Sequence, residues 1–539
     1  MHRTYTMSNV SFDDNQDNTL EDNSGLIKKQ LLPLSISTFP KLVEGNYLYV
    51  DKTRYIYNLL VQKGAYFLSR PRRFGKSLLV STLKEIFKGN RELFKEYWIY
   101  NKIQWEKCPV VHLDFQGIDF KKLGLEKGIL NKLNRIAGEY GIGCEGDSIS
   151  ERFENLIDKL AGETSVAVLI DEYDKPVTDY IENIEKAEEN REILKNFYSV
   201  LKSRQENIRF LLMTGVSRFS RLSVFSDLNH LIDITFHDDY VKLLGYTQEE
   251  IETYFDRYIE QYLRENPGLS KEGLFRELKA FYNGYSWDGK IFVYNPFSII
   301  NFFDFRKFKS FWFTSGTPTF LIKMVRTHGI DFKVWEELKV NEQFFDKFDI
   351  SNINITLLLF QTGYLTIKRV EDSMYVLSYP NHEVKNALLY HLLEEYSGIG
   401  QEMSGSFILD IKDFLAAKNI NGLIARMKAL YASIPFNLVE GDVERYYHLV
   451  FYLVMKLAAG KSQPEYPGHR GRMDLVVESE KYIYIFEFKM TDAQKALDQI
   501  NQKGYYEQFL VSKKQIILVG VGFSKEERNI SGHAYSEIG

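Results

Sequence analysis

Two groups of residues have the types and spacing that phosphate chemistry needs. The first begins with Arg70-Pro71-Arg72-Arg73-Phe74-Gly75-Lys76-Ser77, between an apolar run at 65–69 and an amphipathic stretch at 77–87. A loop from strand to helix turns backbone N–H groups and the positive end of the helix dipole toward an anion. Lys76 would reach the β- and γ-phosphates of ATP, and the Ser77 hydroxyl would bind Mg²⁺. Arg72, Arg73, Phe74, Gly75 and Leu78 complete the stretch that would wrap the nucleotide. A second apolar run, 166–170, ends in Asp171-Glu172-Tyr173-Asp174. Asp171 at the strand end would hold Mg²⁺ beside Ser77, and Glu172 would polarise the attacking water as general base. A third run, 209–213, ends in Thr214-Gly215-Val216-Ser217-Arg218. Thr214, with Ser217 behind it, would orient that water or sense the γ-phosphate. Arg218 and Arg221 would either pair with local carboxylates or stabilise transition-state charge. In the second case they act in cis or across the subunit boundary of a homo-oligomer.

The second group lies near the C-terminus. Asp474 follows Gly471-Arg472-Met473, and Glu487-Phe488-Lys489 follows the apolar run 482–486. Alternation along a strand puts Glu487 and Lys489 on one face. If Ser479-Glu480 is a two-residue hairpin turn, Arg472 falls opposite Glu487 and Asp474 shares its face. A three-residue loop would send Asp474 to the other face. Two such carboxylates hold Mg²⁺, with water and phosphate completing an octahedron. The metal lowers the pKa of bound water and neutralises phosphate charge. Lys489 would position that water or stabilise the pentavalent centre. Glu444, in a helical stretch at 443–453, and Glu465, ahead of the hairpin, are candidates for a third carboxylate. The same pattern also suits a two-stranded edge with a solvated Glu and Lys.

The elements that must position these residues follow from periodicity. Between residues 31 and 236, apolar runs at 65–69, 109–115, 166–170 and 209–213 alternate with amphipathic stretches. That pattern predicts an α/β fold whose parallel sheet is covered on both faces. The polar residues 1–30 read as a disordered leader, and 31–239 as the nucleotide domain. Residues 240–395 read as a helical lid and connecting domain. It opens with a Thr247/Glu250 capping box and continues through strands at 363–368 and 374–378 to a helix at 386–396. Residues 398–406 read as a Gly/Ser linker. The last domain, 406–539, holds helices up to 457, the hairpin, a helix around 491–509 and a strand at 515–523. At that size it buries enough of its chain to fold alone.

The composition bounds the function. The chain has 539 residues, 44% hydrophobic and 26% charged, which excludes a fibrous or largely disordered protein. The net charge of −5 excludes a wholly basic nucleic-acid binder, so any such surface is local. Residues 440–539 carry 13 Lys plus Arg against 14 Asp plus Glu, a net of −1. Only two cysteines are present, Cys108 and Cys144, too few for a disulfide framework or a zinc cluster. With no apolar stretch of the ~18 residues that a membrane helix needs, the expectation is a soluble, cytoplasmic protein that contacts no membrane.

The stretches 47–52, 70–78, 166–176, 214–218, 294–296 and 363–366 together resemble the bacterial AAA-ATPase-like family. Its members often carry a C-terminal PD-(D/E)XK nuclease-superfamily domain, here of α/β/α type. The resemblance covers nearly all of the chain beyond the leader. It implies an AAA-type P-loop ATPase domain whose arginine-rich loop replaces the usual glycine-rich start. It also implies that Asp474, Glu487 and Lys489 form the nuclease signature, with Met473 in place of Pro, and that Gln499 and Tyr506 contact DNA. The expected function is an ATPase coupled to Mg²⁺-dependent cleavage of nucleic acid, DNA first. The alternative is an ATP-controlled switch whose last domain binds nucleic acid or protein without cutting. The intact carboxylate–lysine set favours the first reading, and the net charge of the last 100 residues favours the second.

Overall fold

The computed structural model describes residues 30–62, 64–162, 164–218, 230–314, 319–327, 332–346, 353–439, 442–490 and 492–538. Its first sheet contains β1 (Ala65–Ser69), β2 (Val110–Asp114), β3 (Val166–Asp171), β4 (Ile208–Gly215) and β5 (Leu231–Asp233) in the order β2-β3-β4-β1-β5. Every neighbouring pair is parallel. All six residues of β3 are buried, because the helices Lys76–Phe87 and Ile149–Ala161 pack on it. A strand covered on both faces must be apolar throughout, which is why β1 to β4 were visible as runs. At the edge β5 has three residues, all partly exposed, and leaves no such run.

The capping box at Thr247 is present: its Oγ1 accepts from the Glu250 amide, and Glu250 Oε2 accepts from the Thr247 amide. The helix that it starts is interrupted at Phe255, giving Gln248–Tyr254 and Asp256–Glu265. With Lys271–Tyr282 and Pro296–Phe305 these helices enclose an aromatic core of their own around Phe255, Tyr282, Phe302 and Phe303. A small antiparallel sheet follows, with β6 (Leu338–Val340), β7 (Thr366–Glu371) and β8 (Met374–Ser378) in the order β6-β8-β7. Its middle element in sequence starts at Thr366 rather than 363, because Gly363 is the left-handed cap of the helix Ile355–Thr362. The helix expected at 386–396 begins earlier, as His382–Ser397, with the Asn381 side chain capping the Val384 amide.

Residues 398–406 are not a linker. A helix, Gln401–Ala416, starts within them. Buried Ser404, Phe407, Ile408, Ile411 and Leu415 recur at helical spacing, and this face outweighs the local Gly and Ser. The last sheet has β9 (Lys461–Gly468), β10 (Gly471–Glu478), β11 (Tyr482–Lys489), β12 (Gln515–Ser524) and β13 (Asn529–Ile538) in the order β13-β12-β11-β10-β9. β11 and β12 are parallel, and the helix Ala493–Lys503 crosses between them. Gly504 ends that helix in a left-handed cap, so it is shorter than the 491–509 expected. The helix Val443–Ala459 covers β9 and β10 from the other face, giving an α/β/α arrangement.

One face of this C-terminal unit packs into the core of the rest of the chain. One continuous apolar core runs from Phe39 and Ile56 through β1–β4, Leu358 and Leu389 to Val450, Phe486 and Ile530. Tyr446 and Tyr447 of the helix Val443–Ala459 belong to the same core as β3, while β10 to β12 and the helix Ala493–Lys503 enclose a second core around Ile485, Ile500 and Leu518.

Candidate nucleotide and metal sites

β1 delivers the chain to the loop at the carboxyl end of the sheet, where open α/β folds bind ligands. Gly75 caps the helix Lys76–Phe87 at φ +95°, a conformation that side chains disfavour. A Cβ built on it would touch only Leu244, at 3.9 Å, so this position faces open space. Lys76 is buried, and its Nζ donates to the carbonyls of Arg70 and Pro71 at 2.9 and 3.0 Å. Burial lowers its pKa, while Asp171, Glu172 and Asp174 pull it up. Asp171, buried at the end of β3, accepts at Oδ1 from Thr214 Oγ1 (2.5 Å) and from the Glu172 amide (3.0 Å). Thr214 is thus tied to the carboxylate expected to face Mg²⁺. Glu172 holds a left-handed backbone, φ +52°, which is stored strain in a non-glycine residue. Burial raises its carboxyl pKa. Arg72, Arg73, Phe74, Gly75, Lys76, Ser77, Leu78 and Glu172 line one cleft of about 500 Å³. Its far wall is apolar, with Ile36, Leu42, Val50 and Leu244. Donors at one end and an apolar wall at the other suit a nucleotide. Asp174 is occupied elsewhere: it accepts from the amides of Val216 (3.1 Å) and Ser217 (2.6 Å), fixing the turn after β4.

In the last sheet the hairpin register differs from the one expected. Glu478 pairs with Ile483 and Leu475 with Phe486, so the turn spans four residues, with the Ser479 amide donating to the Tyr482 carbonyl. Continued one step, this register sets Asp474, not Arg472, opposite Glu487. The shift is an even number of residues, so the two carboxylates still come together. Regular pairing stops at Leu475 and Phe486, and Asp474 Oδ2 accepts the next free amide, that of Phe488, at 2.7 Å. Glu487 is buried, and its Oε1 accepts from Gln499 Nε2. Its Oε2 is buried with no hydrogen-bond partner. Burial, and then the charge of Asp474, raise the Glu487 pKa to about 8. Asp474 is also raised by burial, with Lys489 opposing the shift. Two carboxyls in a dry site, one with an unsatisfied oxygen, fit a divalent cation. Glu444 does not complete a three-carboxylate group: it is exposed on the first turn of its helix, its amide on the Asp442 cap. Among the described residues no cluster of three or more His, Cys, Asp or Glu side chains closes around one point. Glu465, at φ +47°, turns to Arg472 (3.3 Å) and Lys333 (3.8 Å). Gln499, expected to face DNA, instead holds Glu487.

The two regions that carry these residues match known families. Residues 33–225 match the model described as Predicted AAA-ATPase, and 442–533 match that of the PD-(D/E)XK nuclease superfamily. A protein described as an uncharacterized protein in the vnfD 5′ region, from Azotobacter chroococcum mcd 1, is 36% identical over 533 residues, covering 95% of this chain and 100% of its own. The chain belongs to the AAA-ATPase-like family. Among solved structures, the Aeropyrum pernix ORC2 protein matches at 12% identity and a TM-score of 0.26, covering 65% of this chain and 98% of its own. Cdc6p from Pyrobaculum aerophilum matches at 9% and 0.23, covering 64% and 93%. TM-scores this low establish no shared topology.

In this AAA-ATPase-like chain the arginine at the start of the loop has a structural task. Arg70 is buried over the Trp287 ring at 3.8 Å, and its Nη1 donates to the carbonyls of Ser69 and Thr235. It ties the phosphate loop to the chain beyond β5, and burial lowers its pKa to about 9. Arg218 is drawn away from the cleft. Its Nη2 lies 2.7 Å from Asp233 of β5, and its guanidinium stacks on Phe236 at 4.8 Å. The local-pairing alternative is the one that the structure places; Arg221 lies outside the described residues. Two residues beside the loop, Trp312 and Glu383, escaped sequence reading. Trp312 Nε1 donates to the Arg72 carbonyl at 3.1 Å. The Trp312 amide donates to Glu383 Oε1, and Ser298 Oγ donates to Glu383 Oε2, both at 2.7 Å. Glu383 is fully buried, and burial raises its pKa to about 7. Lys52, also buried, bridges Glu250 at 2.6 Å and so ties its segment to the helix Gln248–Tyr254. A Glu in the first turn of a helix usually faces water, so nothing local in the sequence marks Glu383.

Proposed function

We propose that this protein binds and hydrolyses ATP with Mg²⁺ in the cleft at the end of the first sheet. Hydrolysis would govern cleavage of phosphodiester bonds in nucleic acid, DNA first, at the second site. In the cleft, Lys76 would exchange its loop carbonyls for the phosphates, and Ser77 and Asp171 would hold Mg²⁺. Mg²⁺ there supplies charge neutralisation of the phosphates. Glu172 would take the proton of the attacking water, its raised pKa bringing it closer to working pH. Thr214 keeps Asp171 oriented. In the second site Asp474 and Glu487 would hold Mg²⁺, which supplies an activated water. Lys489 would steer that water or the phosphate.

The observation that carries the nuclease reading is the partnerless buried Oε2 of Glu487 beside Asp474. A merely structural edge hairpin would hold neither group at such a penalty. The test is nicking of supercoiled plasmid by the full chain with Mg²⁺ or Mn²⁺, with and without ATP. Cleavage lost on Asp474→Ala supports the reading. A net charge of −1 over residues 440–539 favours the second reading, a non-cleaving binding module under ATP control. Binding without cleavage under every metal would select it. Among the described residues no helix is long and apolar enough to cross a membrane, and with two cysteines, both free thiols, the cytoplasm is the compartment proposed. Assembly into a homo-oligomer is kept as part of the proposal only if nucleotide turnover per protomer rises with protein concentration.

A further inference from the structure

The second site meets a charge problem. Two carboxylates, one divalent cation and one phosphodiester leave a net negative charge, and Lys489 cancels it without surplus. Phosphate contacts from cations dominate nucleic-acid affinity, so a site of this kind needs further positive charge. The surrounding residues 440–539 supply no net positive charge, at 13 basic against 14 acidic side chains.

The structure brings a cation from elsewhere in the chain. A turn of 3₁₀ helix, Phe332–Glu336, in the connecting region lies against the helix Val443–Ala459. Its far end is clamped: Glu336 Oε1 is 3.2 Å from Lys456 Nζ and 2.9 Å from Lys385 Nζ. Trp335 is wholly buried, and its Nε1 donates to Thr356 Oγ1 at 3.3 Å. That anchorage projects Lys333 over the Tyr452 ring, 5.7 Å from its centroid, and to 3.8 Å from Glu465 Oε1. Glu465 is the residue of β9 that the strand register, continued between Tyr466↔Met473 and Pro464↔Leu475, sets opposite Asp474. Lys333 therefore reaches the β9 end of the row Glu465–Asp474–Glu487. Its side chain is 20% exposed, and the Glu465 carboxylate that it meets is 57% exposed, so an incoming phosphate can displace that contact.

We propose that Lys333 is a phosphate-binding residue of the nuclease-like site, supplied by the connecting region, so that the site is composite and lacks a backbone contact within residues 442–533 alone. The proposal rests on the reading above that this site meets nucleic acid. It also gives the ATPase half a physical handle on the second site, because any shift of the turn Phe332–Glu336 moves a cation relative to the carboxylates.

The test uses the full chain and a fluorescein-labelled 30-base-pair DNA duplex, with Ca²⁺ in place of Mg²⁺ as a cation of the same charge. Binding is followed by anisotropy across a salt series. Removing one phosphate-binding cation lowers the slope of log K against log salt by about 0.9, which corresponds to about 8-fold weaker binding near 0.1 M salt. Lys333→Met should show both changes, and Lys333→Arg should recover them. Lys461→Met, at the outer end of β9 with a side chain 78% exposed, should show neither. The melting temperature of Lys333→Met is measured alongside, since the substitution also removes the cation–π contact with Tyr452, and recovery of slope and affinity by Lys333→Arg separates phosphate binding from packing. If wild type binds and Lys333→Met keeps the same slope and affinity, Lys333 is not a phosphate ligand, and the nucleic-acid reading survives. If wild type shows no salt-dependent binding to this duplex or to the corresponding single strand, the nucleic-acid reading itself falls, and the proposal with it.

Discussion

Glu383 offers a perturbation whose size follows from its surroundings. The carboxyl is fully buried, and burial moves its pKa from 4.5 to about 7, although the Trp312 amide and Ser298 hydroxyl both favour the ionised form. The folded state therefore binds this proton more tightly than the unfolded chain. Stability from the protonated group is fully present below about pH 4.5 and is lost as pH rises toward 7, after which it stays lost. Glu383→Gln is a permanent stand-in for the protonated form: its amide oxygen still accepts from Trp312, and Ser298 can rotate to accept from its NH₂. The variant should thus exceed wild type in stability by about 0.2 kcal/mol at pH 4, by about 1 at pH 5 and by about 3 at pH 8. Urea unfolding across that range measures the difference. Amide exchange of Trp312 locates it, since the affected hydrogen bond is its own. A variant less stable than wild type at pH 8 would refute the reasoning. It would mean that the group is ionised and that its two hydrogen bonds outweigh desolvation. Because Trp312 also holds the Arg72 carbonyl, Glu383→Ala should in addition weaken nucleotide binding, whereas Glu383→Gln should not.

Further outcomes follow from the two sites. Lys76→Ala should lose roughly 1–3 kcal/mol of ATP affinity by calorimetry, since the phosphates lose their one buried ammonium. Glu172→Gln should bind ATP normally yet hydrolyse it ~10²-fold or more slowly, and an unchanged rate would place the base elsewhere. Asp474→Ala and Glu487→Ala should each abolish metal-dependent plasmid nicking while leaving ATP turnover intact, and Lys489→Ala should keep metal binding but lose rate; equal cutting by all three would make the hairpin structural. Arg218→Ala should leave ATP turnover near wild type, because Asp233 already holds that guanidinium.

What the sequence revealed and what it hid divide along a physical line. β1 to β4 were legible because burial on both faces forces unbroken apolar runs, while β5, three residues at an edge, is under no such pressure. The loop after β1 and the Asp171-Glu172 pair were legible because each follows directly on an apolar strand run. Asp474 and Glu487 were brought together by parity alone, and the turn length could be wrong by two without harm. The roles of Arg70, Arg218 and Glu383 were hidden, since each depends on partners far away in the chain: Trp287, Asp233 and Trp312. Helix Gln401–Ala416 was hidden for the opposite reason, because local Gly and Ser outshouted an apolar face that only tertiary packing rewards.

The unbroken core between the two halves also bears on how such a chain can change over evolutionary time. A gene fusion joined at residue 442 would inherit the nuclease-like sheet, but not Tyr396, whose carbonyl takes the Tyr446 hydroxyl, nor the Leu388–Leu392 face of the helix His382–Ser397. The newcomer would arrive with Tyr446 stripped of Tyr396, and with Tyr447 stripped of Tyr431, which leaves apolar surface of the kind that drives aggregation. Shuffling of the C-terminal unit should then succeed only when the seam helix travels with it. The two regions are bound to one lineage by their packing, whether or not selection acts on their coupling.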